Sequence, residues 1–122
     1  MTLAEVKNIL DADVIVGEDK LNMEVERAFA ADLMSDVLAF AKEGSILLTG
    51  LTNPLVVRTA DTLDLRVIIF VRGKRPAPDA IKLAQEKNIP LLATRYIMFE
   101  SCGRLFTEGM RGSVQKVGEP QE

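Results

Sequence analysis

The sequence contains no histidine, and its only cysteine is Cys102. The absence of histidine removes the most frequent general base and the most frequent metal ligand of proteins. A single cysteine cannot form a disulfide within the chain, and it cannot supply a thiolate cluster for a transition metal. These absences predict a protein without a metal or other cofactor, located in a reducing cytoplasm.

Long apolar runs and basic blocks are also missing. The longest apolar runs have about five residues, too few to span a membrane, and residues 1–5 lack the features of a signal peptide. The formal net charge of −3 and the few aromatic residues argue against a nucleic-acid binder, which needs basic and stacking side chains. No GxGxxG motif occurs, and Ile68 stands where a P-loop with Gly73 would need a glycine.

Three cassettes of strand, loop and helix dominate the chain of 122 residues, a length that suits one domain. The strands are predicted at 45–50, 66–71 and 90–94, because each is a short apolar run that does not alternate with polar residues. This order predicts an α/β fold, a single three-layer domain with a mainly parallel sheet and helices on both faces. The domain is expected to cover residues 1–109. Residues 110–122 are polar and rich in glycine, so we expect a mobile tail there.

Capping residues and periodicity predict the remaining elements. Thr2 and Glu5 form a capping box that predicts a helix over 2–10, and a strand follows at 14–16. Residues 24–31 alternate as a strand does, although their alanines leave a helix as the alternative. Further helices are predicted over 33–42 (ending at Gly44), from Pro54 (with Asn53 as its N-cap), over 79–87 and over 96–106.

The first candidate site is the loop between the strand at 45–50 and the helix that starts at Pro54. Free backbone N–H groups and the positive end of a helix dipole favour an anion at such a place. The candidate residues are Thr49, Gly50, Thr52 and Asn53. The alternative is a tight turn with a capped helix start, which every α/β protein needs and which is the commoner case.

The second candidate site is basic and follows the two later strands. Its residues are Arg72, Gly73, Lys74 and Arg75 after one strand, and Thr94 and Arg95 after the next. Three cations around a glycine, which lets the backbone approach closely, could hold a phosphate or a carboxylate. Arg95 joins them if the two strands are neighbours. The alternative is a solvated turn whose charges keep the protein soluble.

Three further features have ordinary structural explanations. Ser35 and Asp36 stand near a helix start and are expected to serve as capping residues, because no partner for acid–base chemistry accompanies them. Cys102 lies in an apolar helical stripe, where a small buried side chain is the alternative to a redox thiol. Phe99 and Phe106 belong either to the core or to a face that mediates self-association.

Four segments together resemble a known family. They are 33–39 (Leu-Met-Ser-Asp-Val-Leu-Ala), 41–44 (Ala-Lys-Glu-Gly), 88–94 (Asn-Ile-Pro-Leu-Leu-Ala-Thr) and the pair Phe99-Glu100. The chain resembles a stand-alone DRTGG domain over about residues 3–108, through diffuse apolar patterns. This resemblance implies a fold similar to the N-terminal domain of HPr kinase/phosphorylase. Related copies occur in some phosphate acetyltransferases and between the CBS domains of regulatory inorganic pyrophosphatases.

The sequence departs from that family at the two motifs that give it its name. The family has an Asp-Arg pair in a glycine turn after one strand and a Thr-Gly-Gly end after another. The corresponding stretches here are 49–53 (Thr-Gly-Leu-Thr-Asn) and 71–75 (Val-Arg-Gly-Lys-Arg), and a glycine is kept in each. No role of the family's acidic and basic pair is therefore carried over to this chain.

The resemblance implies a non-catalytic regulatory or scaffold module, homodimeric and acting through a protein partner. Free-standing versions of the domain are similar to proteins encoded beside iron-only hydrogenase or redox genes. The alternative is a sensor that binds a small anion or nucleotide, such as a phosphate-bearing metabolite, at the carboxyl ends of the parallel strands. A phosphotransferase is the least supported alternative, because the sequence shows neither a phosphate-binding motif nor a paired Mg²⁺ ligand and base.

Overall fold

The computed structural model describes residues 1–118, which form five α-helices and one six-stranded sheet. The helices are α1 (Leu3–Ile9), α2 (Met34–Phe40), α3 (Pro54–Thr62), α4 (Pro78–Lys87) and α5 (Met98–Thr107). The strands are β1 (Asp13–Val16), β2 (Arg27–Ala30), β3 (Ile46–Thr49), β4 (Val67–Phe70), β5 (Leu91–Ala93) and β6 (Arg111–Gly112). None of the helices in this part of the chain is both long and apolar enough to cross a membrane.

The strands of the sheet lie in the order β1-β5-β4-β3-β2-β6. The strands from β5 to β6 in this order pair in parallel, and β1 pairs antiparallel with β5 at one edge. The prediction of a mainly parallel sheet is confirmed. Because parallel strands end at the same edge, the loops after β2, β3, β4 and β5 leave the sheet side by side.

Helices cover both faces of the sheet. On one face, α2, α3 and α4 pack with Leu47, Ile68 and Phe70 of the central strands into one core. On the other face, α1 and α5 pack with Ile46 and Ile69 into a second core. Burial of one such side chain stabilises the fold by about 1.5–3 kcal/mol. Since neighbouring residues of β3 and β4 face opposite cores, these strands carry no polar alternation, and the predicted three-layer domain is confirmed.

The predicted capping residues begin and end several helices. Thr2 Oγ1 accepts a hydrogen bond from the Glu5 backbone N–H at 3.2 Å, and Glu5 Oε1 accepts one from the Thr2 backbone N–H at 2.9 Å. Asn53 caps α3 by accepting from a backbone N–H of its first turn. Asn88 ends α4 in the left-handed conformation, with φ 57°. These helix ends follow from local hydrogen bonding alone.

The helix α2 differs from its prediction at both ends. Its N-cap is Leu33, which makes no side-chain capping bond, so Ser35 and Asp36 lie inside the helix and do not cap it. The helix ends at Phe40, after which the backbone becomes extended. Gly44 lies farther on, in the turn that leads into β3, and its φ of 83° suits glycine there. The glycine therefore serves the turn and not the end of the helix.

Two other segments have defined structure, although the sequence leaves 24–31 ambiguous and places 110–113 in a mobile tail. Within 24–31, Arg27–Ala30 form β2, so the strand interpretation is confirmed over the helix. Past residue 109, Met110 is buried and Arg111–Gly112 pair with β2 as β6. Ser113 Oγ then lies 2.6 Å from Ser45 Oγ in a buried hydroxyl pair. The domain thus extends beyond the boundary expected at residue 109, and residues 119–122 of the expected tail lie outside the described residues.

Candidate functional site

The loops that follow β3, β4 and β5 meet at one edge of the sheet, which we call the strand-end edge. All the candidate binding residues lie there, namely Thr49, Gly50, Thr52, Asn53, Arg72, Gly73, Lys74, Arg75, Thr94 and Arg95. The antiparallel β1 begins at the same edge, because Asp13 pairs with Ala93 at the end of β5. The structure therefore brings together three loops that are distant in the sequence.

The turn after β3 already holds a carboxylate of the protein. Asp32, just past the end of β2, accepts a hydrogen bond from Thr49 Oγ1 at 3.0 Å and another from the Gly50 backbone N–H at 2.7 Å. Thr49 Oγ1 itself accepts from the Leu51 backbone N–H at 3.2 Å. An external anion at this turn would have to displace Asp32. Sequence reasoning missed Asp32, because its role depends on β2 lying beside β3.

The rest of this first loop is also bound within the fold. Asn53 Oδ1 accepts from the Leu55 backbone N–H at 3.1 Å and so caps α3. The Thr52 carbonyl accepts from the Ala77 backbone N–H at 2.9 Å, which ties the loop to the start of α4. These bonds match the capped-turn alternative considered for the first candidate site.

Arg72 lies over Gly50, where the second and first candidate loops touch. A Cβ built on Gly50 would overlap the guanidinium group of Arg72, so glycine allows this close approach. Arg72 and Gly73 have φ values of 64° and 71°. Their N–H groups donate to the carbonyls of Tyr96 and Thr94, at 2.9 and 3.0 Å. A left-handed conformation costs about 1–2 kcal/mol at a residue other than glycine, so Arg72 is held in a strained turn.

The remaining cations of the strand-end edge are exposed. Arg75 Nη1 forms an ion pair with Asp13 Oδ2 at 3.0 Å, and such exposed pairs contribute less than about 1 kcal/mol. Lys74 and Arg95 both extend from the surface. Arg95 lines an open cavity of about 330 Å³ together with Leu10, Asp11, Thr94 and Tyr96. An anion could approach the exposed cations, but acidic side chains stand in the same region.

Thr94 is engaged inside the protein. Its hydroxyl donates to the Leu10 carbonyl at 2.7 Å and accepts from the Tyr96 backbone N–H at 3.2 Å, and the residue is buried. Among residues 1–118, no group of three His, Cys, Asp or Glu side chains is placed to hold a metal ion. The hydroxyl groups of Thr49 and Thr94 thus serve the packing of the loops. Of the four exposed cations of the strand-end edge, Arg75 is paired with Asp13, and Arg72, Lys74 and Arg95 form no ion pair with the described residues.

A second surface, with exposed aromatic side chains, lies on α5. Phe99 is 86% exposed and Phe106 is 60% exposed, so neither belongs to the core. Cys102 lies between them, and partial burial raises the pKa of its thiol above the usual value. The thiol therefore stays protonated at neutral pH, unlike a reactive redox cysteine. The exposure of both phenylalanines excludes the core alternative, and the self-association face stays a prediction.

Comparison with known proteins gives a family and similar solved structures. The DRTGG domain family matches residues 5–106. The chain is similar to the crystal structure of the CBS and DRTGG domains of the regulatory region of Clostridium perfringens pyrophosphatase, complexed with the activator diadenosine tetraphosphate, with a TM-score of 0.72 and 21% identity. The match covers 89% of this chain and 47% of that one, so the chain spans about half the length of its structural neighbour. No curated protein matches significantly.

Proposed function

The chain belongs to the DRTGG domain family, whose domains are regulatory and not enzymes, and from that premise we propose that it is a non-catalytic regulatory module. We propose further that it works as a homodimer and acts through protein partners. The observation that carries this proposal is the exposed aromatic face of α5, with Phe99 and Phe106 in solvent. Contiguous exposed apolar surface is a common feature of protein–protein contact sites.

The strand-end edge supports the same proposal from the opposite side. The candidate ligand-binding groups of this edge donate their hydrogen bonds within the protein. Thr49 and Gly50 donate to Asp32, and Thr94 donates to the Leu10 carbonyl. The polar groups of the loops therefore stabilise the fold.

On α5, Phe106 packs against the Arg111 guanidinium, 4.2 Å from its ring centroid, and Phe99 stays 86% exposed. Because its exposed aromatic side chains lie on α5 and its strand-end loops are bound within the fold, the module regulates through contact with another protein chain.

Sedimentation analysis of the pure protein tests the proposal. We expect a dimer at micromolar concentration, and capture from native lysate followed by mass spectrometry should return a defined partner. The resemblance implies hydrogenase-associated or redox proteins as the first partners to look for. A strict monomer that captures no partner would contradict the proposal.

A second candidate function is the binding of a small anion or nucleotide at the strand-end edge. It is favoured by the exposed side chains of Arg72, Lys74 and Arg95, which project from adjacent loops. The structural neighbour is a regulatory region complexed with a dinucleoside tetraphosphate. That structure also contains CBS domains, and this chain covers 47% of its length.

A thermal-shift panel of nucleotides and sugar phosphates tests this second function. If the edge binds phosphate, replacement of Arg72 and Lys74 by alanine should abolish the shift. Replacement of Arg58 and Lys82, which are exposed cations on α3 and α4, is the matched control and should keep it. A shift that survives loss of Arg72 and Lys74 would place the ligand elsewhere. ATP turnover that depends on the same residues would contradict a non-catalytic module.

A further inference from the structure

Four residues of α5 have a symmetric spacing in the sequence. Phe99, Gly103 and Phe106 among them are exposed, and Cys102 is half-buried. The α5 stripe consists of Phe99, Cys102, Gly103 and Phe106, and its spacing is the same when read from either end. Residues three, four and seven positions apart share one face of a helix, so the four residues form a line along α5. Large aromatic side chains stand at the two ends of the line, and small residues stand at its centre.

The centre of the α5 stripe is open to close approach by another chain. A Cβ built on Gly103 would meet no described atom within 4 Å. A glycine inside a helix is destabilising relative to alanine, and the described part of the monomer gives no packing reason for it. Open grooves run along both sides of the stripe, one of about 540 Å³ beside α1 and one of about 160 Å³ beside β2 and β6. The helix is therefore a ridge between two grooves.

We propose that a second copy of this chain docks on the α5 stripe with its own α5 antiparallel, on a twofold axis that passes between Cys102 and Gly103. This rests on the homodimer proposed above and assigns its interface. A twofold contact requires a self-complementary surface, and the stripe meets that requirement. Each Phe99 faces Phe106 of the second copy, and the small residues let the two helix backbones approach at the axis.

The charges beside the α5 stripe suit the same arrangement. Within one copy, Glu100 Oε2 and Arg104 Nε form an ion pair at 3.0 Å. In the antiparallel pair, Glu100 of one copy comes beside Arg104 of the second copy, twice by symmetry. A parallel twofold pair would instead place the two Glu100–Arg104 pairs on opposite sides of the interface, where they cannot pair with each other. Charge complementarity thus favours the antiparallel orientation.

A rival apolar surface lies on the opposite side of the sheet. Leu33 and Leu38 at α2 and Leu55 on α3 are also exposed. Leu33 and Leu38 are five positions apart, which does not place them on one face of a helix. They form no self-complementary line, so the α5 stripe is the better interface for a second copy. Leu38, 53% exposed, provides a matched control position.

Sedimentation equilibrium of the full chain compares three single variants with the wild type. Phe99→Glu places a charge at one end of the α5 stripe, and Gly103→Gln places a long side chain at the axis. We expect each to raise the dimer dissociation constant at least about tenfold, equivalent to about 1.4 kcal/mol. Leu38→Glu makes a comparable surface change on the opposite layer and should leave the dissociation constant unchanged. We expect each variant to fold, because all three positions are exposed. Circular dichroism checks that each variant is folded.

Cross-linking through Cys102 tests the position of the axis. The chain has no other cysteine, so a short bis-maleimide can join two copies only through the Cys102 pair. We expect a covalent dimer in the wild type and in Leu38→Glu, and none in Phe99→Glu or in Cys102→Ser. A wild-type dimer that does not cross-link would overturn the proposed axis.

The outcomes separate the interface from the function proposed above. A dimer that persists in Phe99→Glu and Gly103→Gln but is lost in Leu38→Glu would leave the homodimeric module standing and overturn its assignment to α5. A wild type that stays monomeric at every concentration would overturn both. Loss of the dimer in the two α5 variants alone, with the Cys102 cross-link, supports both.

Discussion

At the scale of single residues, the strand-end edge is held by polar groups that satisfy one another. Asp32 shows this most directly, because one carboxylate oxygen accepts from both Thr49 and Gly50. Thr49 and Gly50 are buried, so loss of the acceptor would leave two donors without a partner. An unsatisfied buried donor costs about 1–3 kcal/mol. The role of Asp32 is therefore structural, whatever else the edge binds.

We expect Asp32→Ala to lower the free energy of unfolding by about 1–3 kcal/mol for this reason. Asp32→Asn keeps an acceptor oxygen and should lose less. Urea denaturation measures both. The matched control is Asp36→Ala, which removes an exposed carboxylate from the first turn of α2 and should cost no more than about 1 kcal/mol. Equal losses for Asp32→Ala and Asp36→Ala would contradict the structural role.

Arg72 allows a second test at the same scale. Its φ of 64° is strained for any residue with a Cβ, whereas glycine adopts it freely. Arg72→Ala and Arg72→Gly both remove the guanidinium group and differ only at the backbone. We expect the glycine variant to be more stable than the alanine variant by about 1 kcal/mol. Equal unfolding midpoints would show that this turn relaxes and stores no strain.

Residue-level roles were the hardest to predict from sequence. Thr49 and Thr94 were correctly placed at strand ends, but their partners Asp32 and Leu10 come from other parts of the chain. Such partners depend on which strands are neighbours, and periodicity carries no information about that. Asn53 is the counterexample. Its capping partner is the backbone N–H of Leu55, only two residues later, so the local sequence is enough to predict the bond.

At the scale of elements, local signals predicted the helix ends that carry capping residues, and they misplaced the C-terminal end of α2. The helix α1 begins at the Thr2–Glu5 capping box and α4 ends at Asn88, as expected. The helix α2 starts at Met34, one residue after the predicted start, and ends at Phe40, before the predicted end, because the backbone becomes extended at Ala41. The strand β6 was missed because it is two residues long and depends on pairing with β2. Boundaries set by tertiary contacts leave no local signal.

The capping box also predicts a pH dependence for α1. Hydrogen bonds from the backbone and side chain of Thr2 lower the pKa of Glu5 below its usual value of 4.5. A carboxylate with a lowered folded pKa contributes stability that is fully present above that usual value and is lost as the pH falls through the folded pKa. We therefore expect unfolding temperature to fall more steeply with acid in the wild type than in Glu5→Gln. Parallel curves for the two proteins below the usual value would contradict the capping role.

At the scale of the whole molecule, the three-layer fold followed from the sequence, and the sheet order did not. Apolar runs such as 66–71, followed by helical patterns, predict parallel strands buried on both faces, and the structure has them. Several strand orders suit the same pattern, because each crossover unit can be placed on either side of its predecessor. The positions of the antiparallel edge strand β1 and of the final strand β6 in the sheet could therefore not be predicted from the sequence pattern.

The molecule presents two surfaces with different chemistry. The strand-end edge joins its loops through internal hydrogen bonds and leaves Arg72, Lys74 and Arg95 exposed without an ion pair to the described residues. The helix α5 instead displays Phe99 and Phe106 on either side of small residues. In this member of the DRTGG family, the dimer that we propose at α5 would leave the strand-end edge open. A regulatory module can then respond at one surface while it is assembled through the other.

Sedimentation equilibrium across a micromolar dilution series tests the central claim most directly, with wild type, Phe99→Glu and Leu38→Glu measured side by side. The account predicts a reversible monomer–dimer equilibrium in the wild type and in Leu38→Glu, and a monomer in Phe99→Glu. A wild-type chain that shows the mass of one copy at every concentration would contradict it.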